Sequence, residues 1–304
     1  MALSTWEVLL QQVLNGLILG SFYALVALGY SMVYGIVKLL NFAHGDIYMA
    51  GAFSCLAIFG VLSGVLPGWA GITCSIVASM FLVGALGFAV QRFAYRPLLG
   101  APRLSLLITA IGVSLVIYNT VMSLTNSQPM FFSSGIDNSA GFHLGNVTIT
   151  YVQIVLLVVS AVLMVALSLF IGRTMLGKAM RAIALDQDTC RLMGINVNKI
   201  IGLTFIVGSA LAAIAGGLAC VYYGNVQYNM GYTIGIKAFT AAVIGGIGSI
   251  PGAMLGGLLL GLLEAGGTQL LGSEWKDVFA FGLLIVMLTL KPNGLLGKSE
   301  IERM

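Results

Sequence analysis

The amino-acid sequence predicts an all-α integral membrane protein, a polytopic bundle of about eight or nine transmembrane helices with glycine-rich helix breaks. Hydrophobic residues make up 59% of the 304 residues and charged residues only 8%, whereas soluble domains average about 45–50% and about 25%. Because so few charges cannot cover a water-facing surface, most of the surface must face lipid. The 40 glycines are about twice the average usage, and glycine permits close packing and breaks in membrane helices.

A membrane-crossing helix needs about 20 mostly apolar residues, and nine stretches approach that length. In chain order they are 9–33, 46–66, 70–92, 104–124, 150–171, 200–223, 234–249, 252–272 and 276–291. The stretch 234–249 is short and contains Lys237. It is counted as a crossing because a segment that dipped in and returned would place the basic C-terminal tail on the outer side.

The distribution of basic residues predicts the orientation, since cytoplasmic loops of membrane proteins are enriched in Lys and Arg. Basic residues cluster after the third span, in the loop 172–199 and in the tail, at Arg92, Arg96, Arg103, Arg173, Lys178, Arg181, Arg191, Lys199, Lys291, Lys298 and Arg303. The loops 125–149 and 224–233 contain none. This alternation predicts a multi-pass protein of the bacterial inner membrane, with its N-terminus outside and its C-terminus in the cytoplasm.

The sequence offers no room for a soluble catalytic domain. The largest cytoplasmic segment, 172–199, has about 28 residues and cannot bury a core. We therefore expect residues 1–304 to form a single transmembrane domain that is not an enzyme and takes its energy from a partner or a gradient. No Ser/His/Asp arrangement is present, and His44 and His143 have no second His or Cys at metal-binding spacing. No catalytic residue, metal or cofactor is expected.

A short polar segment separates the first two apolar stretches and includes Asn41, His44, Gly45 and Asp46. Polar groups at membrane depth usually face a cavity or a partner. Gly45 lets the backbone turn, and Asn41 and Asp46 can cap a new helix. Two interpretations stay open, a short cytoplasmic turn or a helix break that lines a translocation pathway.

The second candidate region is glycine-rich and runs from 241 to 264. Gly245 and Gly246 are predicted to break a helix, and they either line a pathway or simply form a tight turn. Four-residue spacing of small residues further along this region favours close approach of another helix. Glu264 is an acidic residue inside a span. It is therefore a candidate pathway residue, with an interhelical hydrogen bond that only fixes packing as the alternative.

The loop 172–199 carries a candidate contact for a partner protein. Its candidate residues are Arg181, Asp188, Arg191, Leu192 and Gly194. The run from Asp188 to Gly194 resembles the coupling motif of ABC importer permeases, with Asp-Thr-Cys in place of Glu-Ala-Ala. A short amphipathic helix turned by Gly194 would fit a groove on a partner.

Four sequence blocks together resemble the membrane permeases of branched-chain amino acid ABC importers. They are the block 40–53, which reads LNFAHGDIYMAGAF, the block 242–253, the tail block KPNGLLG at 291–297, and the loop 177–196. The resemblance covers essentially the whole chain. It identifies the domain as a permease domain, with the loop 172–199 as its coupling loop.

The resemblance implies ATP-driven import of leucine, isoleucine, valine or related hydrophobic amino acids. It implies a second permease subunit, either a copy or a related chain, two cytoplasmic ABC ATPases that bind the ATP, and an external amino-acid-binding protein. Membrane lipid is expected around the bundle, and nucleic acid is not an expected partner. The alternatives are a urea or short-amide permease of the same family and, from a different class, a secondary transporter or channel.

Overall fold

The computed structural model describes residues 5–38, 40–98, 100–133, 140–144 and 147–297, so Lys298 and Arg303 lie outside the described residues. The described residues form eleven α-helices. They are α1 (Thr5–Val37), α2 (His44–Leu62), α3 (Gly68–Val90), α4 (Arg103–Leu124), α5 (Tyr151–Arg173), α6 (Met175–Leu185), α7 (Gln187–Leu192), α8 (Val197–Tyr223), α9 (Met230–Gly245), α10 (Ile250–Leu271) and α11 (Lys276–Leu290). The predicted polytopic all-α fold is confirmed.

The predicted count of about eight or nine crossings agrees with the helices. Seven described helices are long and apolar enough to cross a membrane, and α9 is a shorter apolar helix. α9 has 16 residues and α11 has 15. At 1.5 Å per residue these two helices are about 22–24 Å long, less than the roughly 30 Å of a hydrocarbon core.

Glycines allow a close contact between α1 and α10. A Cβ atom added to Gly257 would lie 2.4 Å from the Ala24 nitrogen, and one added to Gly261 would lie 2.2 Å from the Gly20 nitrogen. No side chain fits at such distances, so the backbones can meet only because these positions carry glycine. The four-residue glycine spacing therefore serves helix packing, as small residues do in other membrane helices.

Two small antiparallel sheets lie in the loops without basic residues. β1 (Met130–Phe131) pairs with β4 (Asn225–Val226), and β2 (Gly141–Leu144) pairs with β3 (Val147–Thr150). The β1–β4 pair joins the loop 125–149 to the loop 224–233. Both loops therefore lie on the same side of the bundle, as the alternation of basic and non-basic loops requires.

The loop 172–199 folds into two helices rather than the one short helix expected from the sequence. Asp186 separates α6 from α7 and caps α7, because its carboxylate accepts hydrogen bonds from the backbone N–H groups of Asp188 and Thr189 at 2.9 and 3.1 Å. An aspartate at this position is a favourable helix N-cap. The Thr189 hydroxyl also donates a hydrogen bond to Asp186. This hydrogen bond is the main reason why the pKa of the exposed Asp186 carboxyl is lowered.

Candidate translocation site and cytoplasmic docking surface

The polar segment between α1 and α2 lies inside the bundle. α1 ends at Val37 and α2 begins at His44. The His44 ring packs edge-on against Tyr30 with 4.9 Å between ring centroids. Its Nε2 atom lies over Gly29, where an added Cβ would be 2.1 Å away. Because Gly29 precedes the end of α1 by about two helical turns, α2 starts within the bundle and not beyond its surface.

The expected capping of α2 is wrong in detail. The N-cap residue is Ala43, and no side chain caps the helix. Asn41 instead accepts a hydrogen bond of 2.8 Å from the Tyr95 hydroxyl. Asp46 accepts one of 2.5 Å from the Ser114 hydroxyl. The two polar side chains therefore form hydrogen bonds with residues that are distant in the sequence. Local sequence rules cannot predict such contacts.

Gly45 is required for contact between α2 and α9. A Cβ atom at Gly45 would lie 2.3 Å from the Gly231 carbonyl oxygen and 2.7 Å from the Gly235 Cα atom. The start of α2 is therefore held against the first turns of α9 by three glycines. The glycine does not mark a turn, since Gly45 has helical geometry within α2.

Tyr95 lies on a local irregularity at the end of α3. Residues Gln91–Tyr95 form a π-helical turn, which a 3₁₀ turn follows at Arg96–Leu98. π-turns inside helices are frequent at functional sites. This turn places Tyr95 between Asn41 and Phe205, whose ring centroid is 5.3 Å from that of Tyr95. No sequence pattern indicates this contact.

Glu264 is fully buried and its carboxylate has several partners. Its Oε1 atom lies 2.9 Å from Lys237 Nζ and 3.1 Å from Lys276 Nζ, and its Oε2 atom accepts a 2.8 Å hydrogen bond from the Tyr23 hydroxyl. Lys237 also lies 2.9 Å from Asp277 Oδ1. We call these five residues the Glu264 cluster. It connects α1, α9, α10 and α11.

The sequence identified Glu264 as a candidate but not its partners. The sequence shows Lys237 only as a charge in a short apolar stretch, and no sequence pattern points to Lys276 or Asp277. An acidic and a basic residue in two neighbouring apolar spans were the available signal. The geometry is that of a paired charge cluster that connects four helices.

Gly245 and Gly246 lie at the end of α9, where the C-terminal tail folds against it. A Cβ at Gly245 would lie 1.9 Å from the Gly252 carbonyl oxygen, and Gly246 has a positive φ of 105°. The backbone N–H groups of Leu295 and Leu296 donate to the carbonyls of Ile244 and Gly245, both at 2.9 Å. These bonds satisfy carbonyls that the end of a helix leaves unpaired. The contacts are those of packing and capping.

The candidate contact residues of the loop 172–199 occupy different environments. The Arg181 guanidinium donates a hydrogen bond to the Ile171 carbonyl near the end of α5, where a cation is favourable. Arg191 and Asp188 form an exposed ion pair of 3.0 Å. Arg181 therefore holds α6 to α5, while the other two remain open to a partner.

Large apolar side chains near α7 are exposed. Leu185, Leu192 and Met193 are 90%, 88% and 78% exposed. Gly194 has a φ of 79° and no neighbouring atom within 4 Å of an added Cβ, so its requirement for glycine comes from the backbone conformation alone. We call Leu185, Arg191, Leu192 and Met193 the α7 surface. It combines apolar area with charge, as partner-binding surfaces do.

Among the residues that the structure describes, no group of three His, Cys, Asp or Glu side chains is placed to hold a metal ion.

Comparison with known proteins gives matches along nearly the whole chain. A family model described as branched-chain amino acid transport system / permease component matches residues 12–288. The high-affinity branched-chain amino acid transport system permease protein BraD of Pseudomonas aeruginosa is 47% identical, with 97% of each chain covered. The permease protein LivH of the corresponding system in Escherichia coli K12 is 43% identical, again with 97% of each chain covered. The permease protein LivM of the same organism is 28% identical over 90% of this chain and 67% of its own length.

Proposed function

The chain belongs to the family of branched-chain amino acid transport system permease components, and we propose that it is the membrane-spanning permease subunit of an ATP-driven importer. Its substrates are leucine, isoleucine, valine or related hydrophobic amino acids. The observation that carries this proposal is the full-length similarity to BraD and LivH, which extends over 97% of each chain. A shared fold alone would not identify a function, but identity of this extent includes the residues between and inside the helices.

The proposed assembly contains a second permease subunit, two cytoplasmic ABC ATPases that bind ATP, and an external amino-acid-binding protein. A related chain is the favoured second permease, because E. coli K12 has two permease proteins, LivH and LivM, named for one kind of transport system. This chain is more similar to LivH, so its partner would be a LivM-like chain.

The α7 surface is the proposed contact for the ATPase. ATP is hydrolysed on another chain, so movement must be transmitted through a contact on the cytoplasmic side. The exposed Leu192 and Met193 supply apolar area, and the Arg191–Asp188 pair supplies polar contacts at its edge. Gly194 sets the direction in which the chain leaves this surface. This proposal agrees with an orientation in which the N-terminus is outside and the loop 172–199 is cytoplasmic.

The proposed translocation pathway runs beside the break between α1 and α2. The polar side chains of Asn41, His44 and Asp46 lie there among apolar helices. Burying polar groups at this depth costs free energy, so such groups usually have a function. Gly45 allows α2 and α9 to meet at the same point. Gly245, Gly246 and Glu264 support the pathway indirectly, by fixing the helices around it.

The substrate class is tested by ligand-stimulated ATP hydrolysis. The chain is purified with its second permease and ATPases, reconstituted in lipid vesicles and mixed with the binding protein. We expect leucine, isoleucine or valine to stimulate hydrolysis and urea to have no effect. Stimulation by urea or a short amide, without stimulation by the three amino acids, would contradict the proposed substrate and favour the alternative family member.

A further inference from the structure

Two carboxylates are buried inside the described transmembrane helices, and their surroundings differ in one respect. Glu264 has two lysine ammonium groups within 3.1 Å. Asp46 is equally inaccessible, with 4% of its surface exposed, but no cationic side chain of the described residues forms an ion pair with it. A buried carboxylate that lacks a cation is strongly disfavoured. In its charged form, the Asp46 carboxylate would therefore be stabilised by a positive charge brought next to it.

The position of Asp46 gives only partial compensation. It lies in the first turn of α2, where the helix dipole favours a negative charge. Its Oδ2 atom accepts the hydrogen bond from Ser114, which lies in the middle of α4. Its Oδ1 atom lies beside Gly231, at 2.9 Å from the place of an added Cβ. The glycine leaves this second oxygen uncovered by any side chain at that position.

Two tyrosine rings lie on the same side as the Ser114 contact. Tyr118 follows Ser114 by one turn of α4, so the two side chains share a face. Its ring packs edge-on against Tyr228 with 5.4 Å between centroids. Both tyrosines are partly exposed, whereas Asp46 is buried. Aromatic faces attract ammonium groups, so a cation approaching Asp46 would pass a favourable surface.

We infer that Asp46 receives the α-ammonium group of the amino acid as it passes through the permease, with Ser114 positioning the carboxylate and the Tyr118–Tyr228 pair lining the approach. This inference rests on the proposed function and adds to it the chemical group that the permease recognises. An amino acid brings the positive charge that the protein itself does not provide at this place. The contact is transient, because the ammonium group leaves Asp46 together with the substrate.

The first test replaces the carboxylate by its isosteric amide. In vesicles containing the assembled importer, Asp46→Asn is expected to lower leucine uptake per ATP hydrolysed by roughly tenfold or more, the loss that one charge-assisted hydrogen bond predicts. The amount of ATPase that co-purifies with the variant reports on folding. Ser114→Ala is the matched control, since it removes a neighbour of the carboxylate and keeps its charge, and a smaller loss is expected. Normal uptake by Asp46→Asn would overturn the inference.

A second measurement holds even if Asp46→Asn fails to assemble. Tyr118→Cys is introduced together with Cys74→Ser, because Cys74 is the exposed native thiol among the described cysteines. The rate of thiol alkylation is compared in the presence of L-leucine and of 4-methylpentanoate, which has the same apolar chain and carboxylate but no ammonium group. Protection by leucine alone is expected, and protection by both compounds or by neither would overturn the inference.

These results are distinguishable from failure of the proposed function. If the unmodified importer shows no ATP-dependent uptake of leucine, the function is wrong. If it transports leucine and the two tests above fail, only the role of Asp46 is wrong.

Discussion

The Nζ atom of Lys237 lies 2.9 Å from Oε1 of Glu264, and this contact joins α9 to α10 inside the bundle. Both side chains are buried, so each charge is stabilised by the opposite charge of the other residue and not by water. Lys276 and Asp277 at the start of α11 complete the cluster. The short helices α9 and α11 are thereby attached to the long helix α10 by electrostatic contacts as well as by packing.

The Glu264 cluster predicts a strong effect of removing one partner. Glu264→Leu leaves Lys237 buried with only Asp277, and we expect a loss of about 3–5 kcal/mol of stability, the usual cost of an uncompensated buried charge. Glu264→Gln keeps the hydrogen-bonding geometry and is expected to lose less. Unfolding temperature in detergent and the amount of protein in the membrane are the measurements. A Leu variant as stable as the wild type would show that the cluster has no role in packing.

A double replacement separates charge pairing from loss of contact. Lys237→Met combined with Glu264→Leu removes both buried charges, and it is expected to be more stable than Glu264→Leu alone because no unpaired charge remains between α9 and α10. A double variant whose loss of stability equals the sum of the two single losses would mean that the two residues act independently.

The glycines between α1 and α10 predict a position-dependent effect of a single methyl group. Gly261→Ala places a Cβ 2.2 Å from the Gly20 nitrogen, whereas Gly266→Ala on the same helix meets no atom within 4 Å. We expect the first change to lower the unfolding temperature. The second is expected to leave it unchanged or to raise stability by about 0.5–1 kcal/mol, since alanine is the better helix former. Equal effects at both positions would contradict the close helix contact.

The α7 surface predicts a separation between folding and coupling. Gly194→Val forces a β-branched residue into a left-handed conformation and redirects the chain after α7, so we expect weaker binding of the ATPase at a normal membrane level. Gly224→Val is the matched control, because Gly224 has a similar φ of 68° but lies in the loop on the opposite side. ATPase pull-down from detergent extract is the measurement.

The same surface can be changed without altering the backbone. A Leu192→Asp/Met193→Asp double variant replaces exposed apolar area by charge, and it is expected to lose ATPase binding while the bundle stays folded. If this variant and Gly194→Val both bind the ATPase normally, the contact lies elsewhere, and the basic segment 92–103 becomes the best remaining candidate.

The predicted orientation can be tested with thiol labelling. In a Cys74→Ser background, Gln128→Cys is expected to react with an impermeant reagent in spheroplasts, and Asn198→Cys is expected to react only after the membrane is opened. Both positions are exposed in the structure. The reverse pattern would contradict the orientation that the basic residues predict, together with the cytoplasmic assignment of the α7 surface.

The sequence predicted the helices well because hydrophobicity alone decides where a chain can cross a lipid bilayer. All nine apolar stretches coincide with helices, including α9 with its buried Lys237. The side-chain contacts between helices could not be predicted from the sequence. Asp46 meets Ser114 and Asn41 meets Tyr95 across 68 and 54 positions of the chain, and no local pattern links residues so far apart.

Whether an aspartate caps a helix depends on its position and on the hydrogen-bond donors around it. Asp186 caps α7 because it directly precedes that helix, where its carboxylate accepts hydrogen bonds from the backbone N–H groups of Asp188 and Thr189 and from the Thr189 hydroxyl. Asp46 does not cap α2, because it lies two residues inside that helix, and its carboxylate accepts a hydrogen bond from the Ser114 hydroxyl of α4. A capping residue in a packed interior competes with partners from other helices, so the same residue type has different roles in the two places.

ATP-dependent accumulation of leucine tests the proposed function most directly. The assembled importer is reconstituted in vesicles with binding protein and radiolabelled leucine on one side and ATP on the other. We expect leucine to accumulate in the presence of ATP. Its accumulation is expected to stop when a non-hydrolysable ATP analogue replaces ATP, and to continue unchanged when ion gradients are collapsed. Accumulation that needs an ion gradient and not ATP hydrolysis would contradict this function and identify the protein as a secondary transporter.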